Sequence, residues 1–139
     1  MASSTSFRLS DEAKQRLTSQ AERHGVSVTA LLERLILEGA DSIDHPGIIH
    51  RGPLHDRRAA LAAGPDVWEV IARLRELDGA EEQRVAVLCE ESQLHPRQVR
   101  LAIDFAVQNS DDIDRRIEAH EQAIQESAQA AEKRAAYLA

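Results

Sequence analysis

Ser4–Ala40, STSFRLSDEAKQRLTSQAERHGVSVTALLERLILEGA, decides how the chain is built: a short strand, a helix, a turn containing glycine, and a second helix. In Ser4–Leu9 successive side chains fall on opposite faces, as a strand's period of two requires. Thr5, Phe7 and Leu9 share one face, and Ser4, Ser6 and Arg8 the other. Ser10 stands at an N-cap position, with Asp11 and Glu12 placed for the positive end of the helix dipole. Ala13, Leu17, Ala21 and His24 follow at helical spacing, and Gly25 suits the residue just beyond a helix end. Ser27 is placed to cap the next helix, whose apolar positions are Val28, Leu31, Leu32, Leu35 and Ile36.

A strand of six residues is not stable alone in water, because its backbone needs a partner and its apolar face a cover. No second strand follows within hairpin distance, so the expected partner is the same strand of a second copy. Two-fold pairing gives an antiparallel ribbon that buries Phe7 and Leu9 and presents Ser4, Ser6 and Arg8 twice over. A ribbon of two strands fits the DNA major groove and reaches base edges there. In these features, with the Ser10 cap and the Gly25-Val26-Ser27 turn, the first forty or so residues resemble the ribbon–helix–helix repressors.

The resemblance implies a homodimer on operator DNA, with base contacts from Ser4, Ser6 and Arg8. It also implies phosphate contacts from the amides of Ser27, Val28 and Thr29, where free N–H groups and the dipole favour an anion. Phe7, Leu9, Leu31 and Leu35 are the expected dimer core. With two serines and a single arginine per strand, base contacts are few, so further affinity is expected from binding of several dimers along the DNA.

The charge balance divides the chain. The formal net charge is −7. Met1–Arg58 carries 8 basic and 8 acidic residues, Ala59–Ala139 carries 9 and 16. The acidic half is expected to face away from DNA or to bind something basic. Aromatic residues make up only 3%, so the cores must be aliphatic, which suits helices. The single cysteine, Cys89, excludes a disulfide framework and fits a reducing cytoplasm. No apolar run is long enough to span a membrane, and Met1–Ser10 lacks a signal-peptide pattern. The expected protein is soluble and cytoplasmic.

Beyond the second helix, the breakers Pro46-Gly47, Gly52-Pro53 and Gly64-Pro65 mark Ile43–Gly64 as a linker into a second domain. Ile48–Arg51 reads as a short strand, and Arg58–Ala63 as an extended or helical piece. The expected domains are 1–43 for DNA binding and dimerisation, and 44–139 for an acidic, mostly helical partner-binding part. Helices are expected over Val67–Leu77, capped by Asp66, over Glu81–Ser92, and after Pro96, which suits a first turn. The last two have the outline of a helix-turn-helix, which would put Arg97, Gln98 and Arg100 at the start of a recognition helix. Helix pairs of this spacing are also ordinary packing units, and the acidic surroundings weigh against phosphate contact. Asp44–Asp114 further resembles a small domain attached to antitoxins of PIN-type ribonuclease toxins, through Arg57–Leu61, Asp66–Val70 and Gln98-Val99-Arg100.

The last helix is expected over Ser110–Leu138, without Gly or Pro, with a thin stripe that becomes alanine-only. Ile113, Ile117 and Ile124 are its expected partner-binding residues. The six histidines do not share ligand spacing, and no catalytic triad, phosphate loop or dinucleotide fingerprint occurs, so neither metal, cofactor nor enzyme activity is expected. The fold expected is mainly α with a short N-terminal strand. It is a ribbon–helix–helix dimer joined to a small helical domain and a long terminal helix. Both resemblances imply an antitoxin that represses its own operon and covers the RNA groove of a basic toxin. The alternative is a stand-alone repressor whose second domain senses a ligand or sets oligomeric state.

Overall fold

Ser10 ends the extended start of the chain and begins helix α1 (Asp11–His24). In the computed structural model, which describes residues 2–139, its side chain accepts a hydrogen bond from the Ala13 N–H at 3.1 Å. Asp11 and Glu12 occupy the first turn and Arg23 and His24 the last, each facing the helix pole of opposite sign. Gly25 stops the helix at φ +65°, a left-handed backbone that a β-carbon resists. Ser27 then repeats the first cap, its Oγ accepting from the Ala30 N–H at 3.1 Å, and opens α2 (Val28–Asp44).

These two helices belong to a compact unit that ends at Asp44; a second runs from His45 to Ala139. Among the described residues of the first unit, only Leu17, Ala21 and Leu31 are buried. Phe7 is 77% exposed, Leu35 52%, Ile36 55% and Ile43 79%. A chain of about 40 residues with so small a core needs metal, disulfides or a second copy for stability. Residues 2–10 carry no regular secondary structure, so the strand expected over Ser4–Leu9 is absent from the single chain. The physical reason is pairing: the described strands lie in the second unit and bond to each other.

The stretch Ile43–Gly64, expected as a linker, is instead mostly a structural element of the second unit. Strands β1 (Ile48–Arg51) and β2 (Arg58–Leu61) pair antiparallel, Ile48 opposite Leu61 and Arg51 opposite Arg58. Gly52 makes the turn possible at φ +102°, where a β-carbon would stand 2.6 Å from the Asp56 carbonyl oxygen. Two arginines directly across a ladder repel one another. Asp66 resolves this: Arg51 Nε donates to its Oδ1 at 2.9 Å and Arg58 Nε to its Oδ2 at 2.7 Å. The Arg51 guanidinium also donates to the Gly64 carbonyl at 2.8 Å. Burial would raise the Asp66 carboxyl, but the hydrogen bonds from Arg58 and Arg51 outweigh it and hold the group below its ordinary range.

Asp66 also begins α3 (Val67–Glu76), its N–H donating to Glu69 Oε1 at 3.3 Å. Helices α4 (Glu81–Glu91), α5 (Pro96–Gln108) and α6 (Ser110–Leu138) follow. Helix α3 lies against β2, α4, α5 and α6. Around it Ile48, Leu61, Val67, Val85, Val99 and Ile113 are the largest fully buried side chains. Ile117 is 6% exposed and belongs to the same core. From Glu118 to Ala139 every residue of the chain is exposed. Helix α6 is therefore anchored by its first two turns and bare along the rest of its length, which is about 43 Å in all at about 1.5 Å per residue.

Candidate nucleic-acid interface

Ser4, Ser6 and Arg8 lie in the exposed N-terminal segment, directly before the first helix cap. Phe7 and Leu9, the apolar alternates of the same segment, are exposed as well. The segment thus alternates polar and apolar residues, all of them exposed. Of the other two residues expected in a dimer core, Leu31 is buried inside the unit at 4% exposure, whereas Leu35 lies open.

At the start of α2, Leu31 N–H makes the first intrahelical bond, to the Ser27 carbonyl at 3.1 Å, and Ala30 N–H is taken by the Ser27 side chain. The amides of Val28 and Thr29 precede that first bond, and Ser27, Val28 and Thr29 are all exposed. An anion reaching this end meets unused donors and the positive pole of a helix of 17 residues.

The residues expected to bind a partner separate. Ile113 and Ile117 are core residues of the second unit, which corrects their expected place on an open stripe: their periodicity is satisfied by α3 and α5. Ile124 is 56% exposed on the bare part of α6. Trp68 packs against His120 with the rings tilted at 51° and their centroids 5.0 Å apart, and this is where packing on α6 ends. His45 and His50 pack edge-on against Phe105 at 5.3 and 6.4 Å, and His95 caps α5 by accepting from the Arg97 N–H at 3.0 Å. Among the described residues no three His, Cys, Asp or Glu side chains come together as a metal site requires, and no helix is long and apolar enough to cross a membrane.

One arrangement had no clear sequence signal, the Arg51–Asp66–Arg58 cluster. Asp66 was legible as a cap, but only the hairpin register brings two guanidinium groups to it. Arg116 makes a similar tie, donating to Asp56 Oδ1 at 2.8 Å, to Asp112 Oδ2 at 3.1 Å and to the Arg57 carbonyl at 2.8 Å. No protein family, curated protein or solved structure matches the chain.

Proposed function

We propose that the chain is a dimeric ribbon–helix–helix DNA-binding protein of antitoxin type. Its first unit grips operator DNA, and its second binds a partner protein. The observation that carries this reading is the first unit's unfinished state. Two capped helices lead from a segment whose polar alternates are Ser4, Ser6 and Arg8, while Phe7, Leu35 and Ile36 stand in solvent. A second copy supplies what is missing: a strand for the segment's backbone and a cover for those side chains. The resulting ribbon presents two Arg8 guanidinium groups to the major groove, and the Ser27–Thr29 amides of each copy hold flanking phosphates.

Band shifts on the DNA upstream of the gene test it. Arg8→Ala should remove operator preference, since a good bidentate arginine–guanine contact contributes about 1–3 kcal/mol and occurs twice in the dimer. Val28→Pro, which removes one amide at the first helical position, where proline is tolerated, should weaken operator and random DNA alike. An Arg8→Ala protein with unchanged preference would refute base reading by the ribbon.

For the second unit, the bare end of α6 with Ile124 supports a protein partner, read as a basic ribonuclease toxin. The stand-alone repressor is the second reading, and the observation favouring it is the closure of the second unit's core by its own Ile113 and Ile117. Co-purification with the product of the adjacent reading frame separates them.

A further inference from the structure

The arginines of the second unit's packed body fall into two groups. From Arg51 to Arg116, all but two donate to a carboxylate or a backbone carbonyl, as Arg73 does to Glu91, Arg75 to Asp114 and Arg84 to the Gly79 carbonyl. The exceptions are Arg97 and Arg100, three residues apart at the start of α5, both exposed, whose guanidinium groups meet no acceptor among the described residues. In a unit with so many carboxylates, leaving two neighbouring cations free is a specific arrangement. They line a shallow open hollow with His95, Leu101 and Asp104.

The helices around them give that hollow an orientation. Helix α4, the short connection Ser92–His95 and α5 form a helix-turn-helix, held from behind by α3. Val85 and Leu88 of α4 and Val99, Ala102 and Phe105 of α5 are buried, so the opposite stripe of α5, Arg97, Arg100 and Asp104, is turned outward. In this motif the first residues of the second helix are those that approach DNA. The amides at that helix end are already used: Arg97 N–H by His95 Nδ1, and Gln98 N–H by the His95 carbonyl at 2.9 Å. Any anion is therefore held by the two side chains and not by the helix end. Gln98 is committed too, its Oε1 accepting from the His95 N–H at 2.8 Å, which leaves little capacity to read bases.

We propose that the start of α5 is a second DNA contact, at which Arg97 and Arg100 bind backbone phosphates of duplex DNA without reading its sequence. Asp104, one turn on, confines the contact to that first stretch of helix. The proposal rests on the reading above for DNA being the chain's ligand, but its test is separate.

The test titrates the full-length chain, by fluorescence anisotropy, with an operator fragment and with random duplex at salt from about 50 to 200 mM. R97Q/R100Q removes two exposed cations without touching a bond, so the fold should survive. The slope of log affinity on log salt should become shallower by about 2 per bound chain, from about 0.9 for each phosphate. Both DNAs should weaken alike and the operator-to-random ratio should hold. Asp104→Asn should tighten both several-fold. A slope unchanged in R97Q/R100Q, or a wild-type chain that binds neither duplex, overturns the proposal. Operator preference that depends on Arg8, with an unchanged slope, would sink this contact and leave the ribbon standing. A slope that depends on Arg97 and Arg100 without operator preference would do the reverse, and a slope lost only with an acidic protein as ligand would assign the pair to a protein partner and overturn the DNA contact.

Discussion

In the first unit Phe7, Leu35, Ile36 and Ile43 stand in solvent around a core of Leu17, Ala21 and Leu31, whereas the second buries one continuous core from Ile48 to Ile117. Both use the same local devices: Ser10 and Ser27 cap helices in one, and Asp66 and His95 in the other. The difference is in what lies beyond the caps. The second unit holds a hairpin and four helices that cover each other's apolar faces, and its Arg51, Arg58 and Arg116 are tied to carboxylates. Good capping therefore makes helices without making a closed fold. A unit can be locally well specified and still need another chain to finish it.

The sharpest way to break this comparison is to spoil the face that only the first unit leaves open. Leu9→Asp places a carboxylate where the proposed dimer buries an apolar side chain. An uncompensated buried charge costs roughly 3–5 kcal/mol, and the dimer would carry it twice. Sedimentation velocity should find the variant monomeric at micromolar concentration, while the second unit's thermal transition stays in place. A variant that remains dimeric would show that the open face of the first unit is not what joins two copies.

The converse change belongs to the second unit. Asp66→Asn leaves Arg51 and Arg58 facing each other across the ladder, and should cost about 3 kcal/mol, the lower end for a broken buried pair because both arginines reach solvent. Oligomeric state should not change. The acid dependence follows from the lowered pKa of this carboxyl. Its contribution is complete above the unfolded value of about 3.9 and is lost as pH falls through the lower folded value. Denaturant midpoints of the second unit should therefore be level near neutrality and drop below about pH 4, and the Asn variant should lose part of that drop, the lowered carboxyls of Asp56 and Glu91 supplying the rest. An Asn variant with the wild-type acid profile would remove Asp66 from the account.

The parts of this structure that were legible in the sequence are those decided within a few residues. Ser10, Gly25, Ser27, Asp66 and Pro96 announce helix ends because caps and turns depend on local side-chain and backbone chemistry. The bounds of α6, Ser110–Leu138, follow from an unbroken helical run. The hairpin was less visible: three breaker pairs read as linker chemistry, and the ion cluster that justifies Arg51 opposite Arg58 depends on a residue outside both strands. Ile113 and Ile117 were misplaced for a related reason. Periodicity tells that one face of a helix is apolar, and nothing about whether the same chain covers it. For Ser4, Ser6 and Arg8 the reading rests on alternation and position alone, because residues 2–10 carry no regular secondary structure in the single chain.

The smallest effect on stability is expected at the one place where the second unit resembles the first. Beyond His120, α6 carries Ile124, Tyr137 and Leu138 in the open, so this stretch contributes nothing to the core. A cut at Asp111 would remove Ile113 and Ile117 and unfold the unit, so it says nothing about the arm. Deleting Glu121–Ala139 keeps both isoleucines and the Trp68–His120 ring contact. The truncated chain should unfold within about 0.5 kcal/mol of the full one, as changes at solvated surface positions do. DNA binding should also be retained. What should be lost is co-purification with the adjacent gene's product, because exposed apolar anchors such as Ile124 supply interface energy while the surrounding charges mainly speed encounter. Ile124→Ser should reproduce part of that loss in the full-length chain, through faster dissociation with little change in association rate. If truncation instead lowers stability by more than about 1 kcal/mol in a concentration-dependent way, the arm is covered by a second copy of this chain. The two units would then both be completed by dimerisation, and the contrast between them would disappear.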